Sequence, residues 1–291
     1  MNKIAGLCIE FFWKSVLIGA LYVMAMILTG GALIKLGMKF PEAANNYNFI
    51  LCIMFISGFI ISVAGGIIVK YLRLTKPEVF GALYLVFFLN SVTQLLEALY
   101  FAPGIVNWKV APAIFGQQFI MYIFVSAGIT LLFNYEGKND FDLHIRYINI
   151  IGYIWRILAS SACYVAFYFL FGSINAKLFT GDYYRAQIGG LGLPDTKVIL
   201  ILEAVRAVML VLSILPLVIN LRVSKGNKAA IVGMVLFVIG GLLPMLQQFG
   251  SLPTTLVVAS TVEMFFQFFL TGICATYILQ YEKIDKRSLR L

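Results

Sequence analysis

The chain has 291 residues, of which 61% are apolar and 12% are charged, and its formal net charge is +9. A soluble domain typically contains about 25% charged residues, so this composition excludes an ordinary aqueous fold and indicates a polytopic membrane protein. The basic residues are spread through short loops and form no stripe of the kind that a nucleic-acid backbone requires. We therefore expect the lipid bilayer as a partner, and no nucleic acid.

Eight apolar segments are close to the ~20 residues that a helix needs to cross a bilayer. Proline, glycine and asparagine mark the breaks between several of them, as at Phe40-Pro41 and Pro103-Gly104. The pattern predicts an all-α fold with eight transmembrane helices, at residues 12–36, 49–71, 79–102, 112–134, 148–173, 197–221, 229–248 and 254–280.

A sequence motif in the first of these segments returns in the fifth. Matched residues are separated by the same number of positions, in the two motifs Phe12-Trp13-Lys14…Tyr22…Gly30…Lys35-Leu36 and Ile154-Trp155-Arg156…Tyr164…Gly172…Lys177-Leu178. Two shorter pairs follow in the same order: Tyr71-Leu72-Arg73-Leu74-Thr75-Lys76 with Asn220-Leu221-Arg222-Val223-Ser224-Lys225, and Asn134-Tyr135-Glu136 with Gln280-Tyr281-Glu282. We therefore predict two four-helix repeats, residues 1–139 and residues 140–291.

The even number of helices in each repeat decides how the two are related. Both repeats insert in the same direction, so we expect a parallel 4+4 arrangement with a pseudo-twofold axis along the membrane normal. This layout resembles that of haem A synthases, but the histidines that define that family are absent. The single histidine, His144, lies in the predicted linker between the repeats, and the resemblance concerns architecture alone.

Lysine and arginine predict the orientation, because they are enriched in cytoplasmic loops. With the N-terminus inside, most of the 22 basic residues lie on the cytoplasmic side. We expect a multi-pass protein of the cell (cytoplasmic) membrane with both termini in the cytoplasm.

Polar residues within the spans lie mostly in the predicted outer half of the bilayer. Asn90, Gln94 and Glu97 share one face of the third helix. A charge in hydrocarbon costs at least ~2.5–3.5 kcal/mol at a helix centre, so the ionisable residues should face protein or water. We predict a polar cavity between the two repeats, open to the outside, with the candidate binding residues Gln94, Glu97, Glu203, Arg206, Gln247, Glu263 and Gln267.

Glu263 is the strongest functional candidate, because it lies deep and its own helix carries no base. It could carry a proton or a cation, and Arg206 could contact an anion. Arg206 and Glu203 have the i,i+3 spacing of a helical ion pair. If the sixth and eighth helices adjoin, Arg206 has Glu263 as a second partner.

Structural interpretations of the same residues remain open at this point. The glutamines would then be hydrogen-bonded contacts between helices. Glu263 would be neutral and hydrogen-bonded to Gln267 or to another glutamine, and Glu97 would be in contact with water. The loop at residues 179–195 is either a lid over the cavity or an interfacial aromatic segment.

Several chemistries lack the residues that they need. The single histidine excludes a bis-histidine haem site and the iron sites of four-helix bundles. No CxxC pair, P-loop, GxSxG or HExxH motif occurs. We assign no catalytic residue and no metal ligand, and we expect no cofactor.

Three functions fit these observations. The first is a membrane permease or solute-binding protein, whose partner is a small solute. The second is an accessory or assembly subunit that binds a partner helix or a lipid, which the apolar inner half of the polar helices favours. The third is an intramembrane enzyme acting on a lipid or quinone, against which the lack of a nucleophile–base pair counts.

Overall fold

The computed structural model describes residues 3–41, 47–133 and 150–280, and these residues are almost entirely helical. The α-helices are α1 (Lys3–Lys35), α2 (Tyr47–Tyr71), α3 (Lys76–Phe101), α4 (Ala111–Leu132), α5 (Ile150–Asn175), α6 (Gly181–Arg185), α7 (Thr196–Asn220), α8 (Lys225–Phe237), α9 (Leu243–Gln248) and α10 (Thr254–Leu279). A π turn at Ala176–Thr180 joins α5 to α6, and another at Val238–Leu242 joins α8 to α9. The all-α prediction is confirmed. The predicted boundary between residues 139 and 140, like His144, lies outside the described residues.

Eight helical stretches in the described ranges are long and apolar enough to cross a membrane, as the sequence predicted. They are Ile9–Lys35, Tyr47–Tyr71, Lys76–Phe101, Ala111–Leu132, Ile151–Arg185, Thr196–Asn220, Lys225–Gln248 and Thr254–Leu279. This set is compatible with an integral, multi-pass membrane protein. The fifth span is longer than predicted, because the π turn carries the helix past residue 173 into α6.

The order of helix neighbours is the same in the two halves of the chain. In the first half α1 packs against α2 and α4, and α4 packs against α3. In the second half α5 packs against α7 and α10, and α10 packs against α8. Between the halves, α3 packs against α7, and α2 packs against α9 and the π turn that precedes it.

The residues that follow α2 and α7 meet at one end of the bundle. Leu72 and Leu221 form an isolated antiparallel β-bridge, and the Arg222 amide donates a hydrogen bond to the Tyr71 carbonyl, at 3.1 Å. Both leucines are buried. Two segments that match in sequence therefore lie side by side.

Glycine allows the helices to pack closely within each half. A Cβ atom on Gly58 of α2 would lie 2.5 Å from Cβ of Tyr22 on α1. A Cβ atom on Gly233 of α8 would lie 2.7 Å from the Phe269 carbonyl oxygen on α10. Real Cβ atoms do not approach so closely, so larger residues here would separate the helices that frame the site.

Candidate functional site

Arg206 and Glu203 form a buried ion pair one turn apart on α7. The Arg206 Nη1 atom lies 2.6 Å from Oε1 and 2.7 Å from Oε2 of Glu203. Both side chains are inaccessible to solvent, where an unpaired charge would be very costly. The ion pair that the i,i+3 spacing predicted is therefore present.

The second partner of Arg206 is Glu97 of α3. The Arg206 Nη2 atom lies 2.5 Å from Oε2 of Glu97, whose side chain is 18% exposed. Glu263, the second partner considered from the sequence, forms no salt bridge with Arg206. The reason is packing: α7 lies mainly against α3 and α5, whereas α10 lies mainly against α5 and α8.

A tyrosine of α5 completes this polar cluster. The Tyr164 hydroxyl donates a hydrogen bond to Oε2 of Glu203, at 3.1 Å, and the ring is fully buried. Three helices, α3, α5 and α7, thus meet at the Arg206 guanidinium and its two carboxylates. Tyr164 belongs to the repeated motif, but its spacing in the sequence gave no indication of a polar partner.

Glu263 on α10 is held by neutral donors. The Asn175 amide donates to Oε2, and the Gln267 amide donates to Oε1 at 2.6 Å. The contact with Gln267 is one of those named in the structural interpretation, in which Glu263 is neutral. Among the residues with described positions, no cation lies within salt-bridge distance of Glu263.

Gly172 of α5 leaves room for the Glu263 carboxylate. A Cβ atom at Gly172 would lie 3.2 Å from Oε1 of Glu263, which is tighter than most contacts of real Cβ atoms. The missing side chain therefore lets α10 present this carboxylate directly against α5. Asn175 follows on the same helix, beyond the predicted end of the span, and this is why the sequence did not reveal it.

One cavity of about 210 Å³ brings the charged candidates together. Glu97, Glu263 and Gln267 line it, and Arg206 and Glu203 lie behind Glu97. Its other polar lining residues include Tyr168, Ser173, Thr180, Tyr184 and Ser260. Three carboxylates and one guanidinium make this site formally negative. Most of these residues belong to the second half of the chain, and Glu97 comes from the first.

The segment from Thr180 to Leu193 contributes to the lining of this cavity. Tyr184 and Thr180 line its wall, and two backbone hydrogen bonds tie the following residues to the end of α3: Gly104 donates to Gly190 at 3.0 Å, and Gly192 donates to Phe101 at 2.9 Å. Gly190 has a φ of +78°, and a Cβ atom there would lie 2.9 Å from Cα of Gly104. The close approach of Gly104 and Gly190 therefore requires glycine at both positions.

Comparisons with protein-family models, with curated proteins and with solved structures gave no match. A functional assignment therefore rests on the chemistry of the site. Within the described part of the chain, no group of three or more histidine, cysteine, aspartate or glutamate side chains could hold a metal ion.

The other two candidates, Gln94 and Gln247, line a separate cavity of about 150 Å³ together with Tyr22, Gln117 and Gln118. The Gln247 amide contacts the Tyr22 hydroxyl at 3.4 Å, and the Gln117 amide donates to the Met26 carbonyl at 2.9 Å. In the described structure, Nε2 of Gln94 and Oε1 of Gln118 are buried without a hydrogen-bond partner. This cavity is polar but uncharged.

The two cavities have matching walls. A Cβ atom at Gly30 would lie 2.9 Å from Nε2 of Gln117, just as Gly172 lies against Glu263. Gln117 and Glu263 precede the matched motifs Asn134-Tyr135-Glu136 and Gln280-Tyr281-Glu282 by the same number of residues. The uncharged cavity therefore has an amide where the charged cavity has a carboxylate.

A second matched pair shows the same change. Glu97 and Gln247 occupy nearly matching positions in the two predicted repeats. The separation along the sequence from Thr75 to Glu97 is one residue shorter than that from Ser224 to Gln247. The π turn at Val238–Leu242 accounts for the difference, since a π turn contains one residue more than an α turn. Amide and carboxylate thus exchange at two positions, and of these two cavities only the one lined by Glu97 and Glu263 is charged.

Proposed function

We propose that the protein is a cell-membrane permease or solute-binding protein, and that the cavity beside Glu263 binds a small solute carrying a positive charge. The observation that carries this proposal is Glu263 itself. Its carboxylate lines a cavity, and its partners are two neutral amides. A carboxylate removed from water is stabilised by a cation, and among the described residues none supplies one.

The pairing of Arg206 favours a cationic solute over an anionic one. Nη1 of Arg206 binds Glu203 and Nη2 binds Glu97. An anion would have to displace one of these carboxylates and leave it without its partner. Arg206 is therefore better supported as a residue that positions Glu97 than as a contact for an anion.

The proposal includes the 4+4 arrangement of residues 1–139 and 140–291, with a pseudo-twofold axis along the membrane normal. Three observations support it: the common order of helix neighbours, the contact of Leu72 with Leu221, and the matching walls of the two cavities.

The proposed orientation places the charged cavity on the outer side. The cavity lies where α3 ends and where α7 and α10 begin. The opposite end of the bundle carries much of the basic charge, including Lys14, Lys70, Arg73, Arg222 and Lys225. Because basic residues favour the cytoplasm, this end and both termini are proposed to be cytoplasmic.

An accessory subunit is the second candidate function. A groove of about 690 Å³ on the exposed faces of α5 and α10 favours this second function, because a lipid or a partner helix could lie there. The two candidates differ in what they require of Glu263: the first needs its charge, and the second needs only the shape of the groove.

Binding of methylammonium to the purified protein in nanodiscs tests the proposal. We expect saturable binding that Glu263→Gln removes and Gln117→Ala preserves, with sodium acetate as the control for ionic strength and for the anion. Uptake of labelled methylammonium into proteoliposomes then separates a permease from a binding protein. Equal binding by wild-type protein and by Glu263→Gln would contradict the proposal.

A further inference from the structure

A groove on the lipid-facing side of the protein ends at Glu263. It runs between the end of α5, the following π turn and the first turns of α10. Its apolar walls are Phe171, Ile174, Phe179, Val258, Val262 and Phe266. The volume, about 690 Å³, lies in the ~300–1,000 Å³ range of small-molecule sites, and no described part of the chain fills it.

Glu263 lines both this groove and the inner cavity of about 210 Å³. The same carboxylate can therefore be reached from the lipid side and from the protein interior. Asn175, which donates a hydrogen bond to Glu263, also lines the groove. The apolar groove thus leads to a carboxylate that has no cationic partner among the described residues.

We propose that the ligand is a single-chain amphiphile with a primary ammonium head group, which enters from the bilayer. Its alkyl chain lies in the groove, and its ammonium group contacts the Glu263 carboxylate. This inference rests on the proposed function, because it names the solute class of the same site.

Charge complementarity selects this occupant. An ammonium group has three N–H donors, and a carboxylate has about four acceptor positions. Asn175 and Gln267 use one position on each oxygen of Glu263, so others remain for a ligand. A fatty acid or a phospholipid would instead bring a negative charge towards Glu263, and no described cation lies within salt-bridge distance of Glu263 to compensate it.

Four ligands separate the contributions of chain and head group: dodecylamine, dodecanoate, dodecanol and methylammonium. Binding is measured by native mass spectrometry on protein released from phosphatidylcholine nanodiscs, with methylammonium binding followed by calorimetry. We expect dodecylamine to bind wild-type protein at least about 10-fold more tightly than dodecanoate or dodecanol, because only its ammonium group forms a charged contact with Glu263.

Two tryptophan variants test the groove. Val262→Trp fills it at a residue that is 53% exposed, whereas Phe124→Trp places the same indole side chain at a residue on α4 that is 50% exposed and lies outside the groove. We expect Val262→Trp to weaken dodecylamine binding by about 10-fold or more and to leave methylammonium binding unchanged. Phe124→Trp should change neither, and Glu263→Gln should weaken both.

The possible results have distinct meanings. If methylammonium binds through Glu263 but dodecylamine does not, the amphiphile is excluded and the proposed function stands. If dodecanol binds as tightly as dodecylamine, the groove is a site for neutral chains and the inference is overturned. If neither amine binds, the proposed function fails as well. Dodecylamine binding that requires both Glu263 and an open groove supports the inference.

Discussion

Arg206 on α7 and Glu97 on α3 form an ion pair, 2.5 Å long, between residues that are 109 positions apart in the chain. The same guanidinium binds both oxygens of Glu203. One cation thus holds two carboxylates that come from different halves of the protein. Because Glu203 is fully buried and Glu97 largely so, removal of this cation would leave two negative charges together in a medium of low polarity.

Arg206→Met should therefore destabilise the protein strongly, by about 3–5 kcal/mol, as when one partner of a buried ion pair is removed. Arg206→Lys should retain only part of the stability, because one ammonium group cannot replace the two guanidinium nitrogens that bind Glu203 and Glu97 separately. Thermal unfolding of each variant in nanodiscs is the measurement. The double variant Glu203→Gln/Arg206→Met is the control, and it should recover part of the loss. An unchanged melting temperature for Arg206→Met would contradict this account of the cluster.

The sequence predicted the features that depend on local pattern. Long apolar segments located the eight spans, and the i,i+3 spacing of Glu203 and Arg206 indicated an ion pair. The hydrogen bond from Gln267 to Glu263 was one of the structural alternatives. Contacts between helices that are distant in the sequence could not be predicted, because hydropathy does not reveal which helix faces pack together. For this reason the sequence analysis considered Glu263 as the second ion-pair partner of Arg206, whereas in the fold that partner is Glu97.

The extent of the fifth span was also beyond sequence analysis. A hydrophobicity pattern indicated its end near residue 173, but the π turn at Ala176–Thr180 continues the helix to Arg185. This continuation positions Asn175 against Glu263 and Tyr184 against the cavity. π turns have no clear sequence signal, so these two residues could be assigned only from the structure.

The membrane orientation predicts which loops are accessible from outside. In a variant without the natural cysteines, Asn107→Cys and Tyr184→Cys should react with an impermeant maleimide on intact cells. Asn227→Cys should react only after permeabilisation, because the loop before α8 is proposed to be cytoplasmic. Asn139, for which we expect the same result as for Asn227, lies outside the described residues. Labelling of Asn227→Cys in intact cells would show that the orientation is the reverse of the one proposed, with the charged cavity on the cytoplasmic side.

The contact between Leu72 and Leu221 predicts a specific cross-link. Directly opposed residues of an antiparallel pair have Cβ atoms about 4.5–5.5 Å apart, close to the separation found in disulfides. Leu72→Cys/Leu221→Cys should therefore form a disulfide on oxidation. With a protease site inserted at residues 134–149, the cleaved halves should migrate together on a denaturing gel until they are reduced. A pair with one cysteine moved to Leu36 should not be linked, and complete separation of the oxidised halves would show that the two segments do not meet.

The repeated glycines offer a matched pair of variants. Gly172→Ala places a Cβ atom 3.2 Å from Oε1 of Glu263, and Gly30→Ala places one 2.9 Å from Nε2 of Gln117. Both should disturb local packing, but only Gly172→Ala should displace a charged binding group. We expect Gly172→Ala to weaken methylammonium binding several-fold, roughly 0.5–1.5 kcal/mol, while Gly30→Ala leaves it unchanged. Melting temperatures of the two variants show whether their structural effects are comparable. Equal loss of binding in both would assign the effect to packing rather than to Glu263.

Calorimetry of methylammonium binding to Glu263→Gln, with Gln117→Ala and wild type measured alongside, tests the central claim most directly. Glu263→Gln gives the charged cavity the amide that its counterpart already has at Gln117, and it retains the side-chain volume. The account predicts that affinity falls by about 10-fold or more with little change in melting temperature, whereas Gln117→Ala binds as the wild type does. Wild-type affinity in Glu263→Gln would contradict the claim that this carboxylate is the cation site.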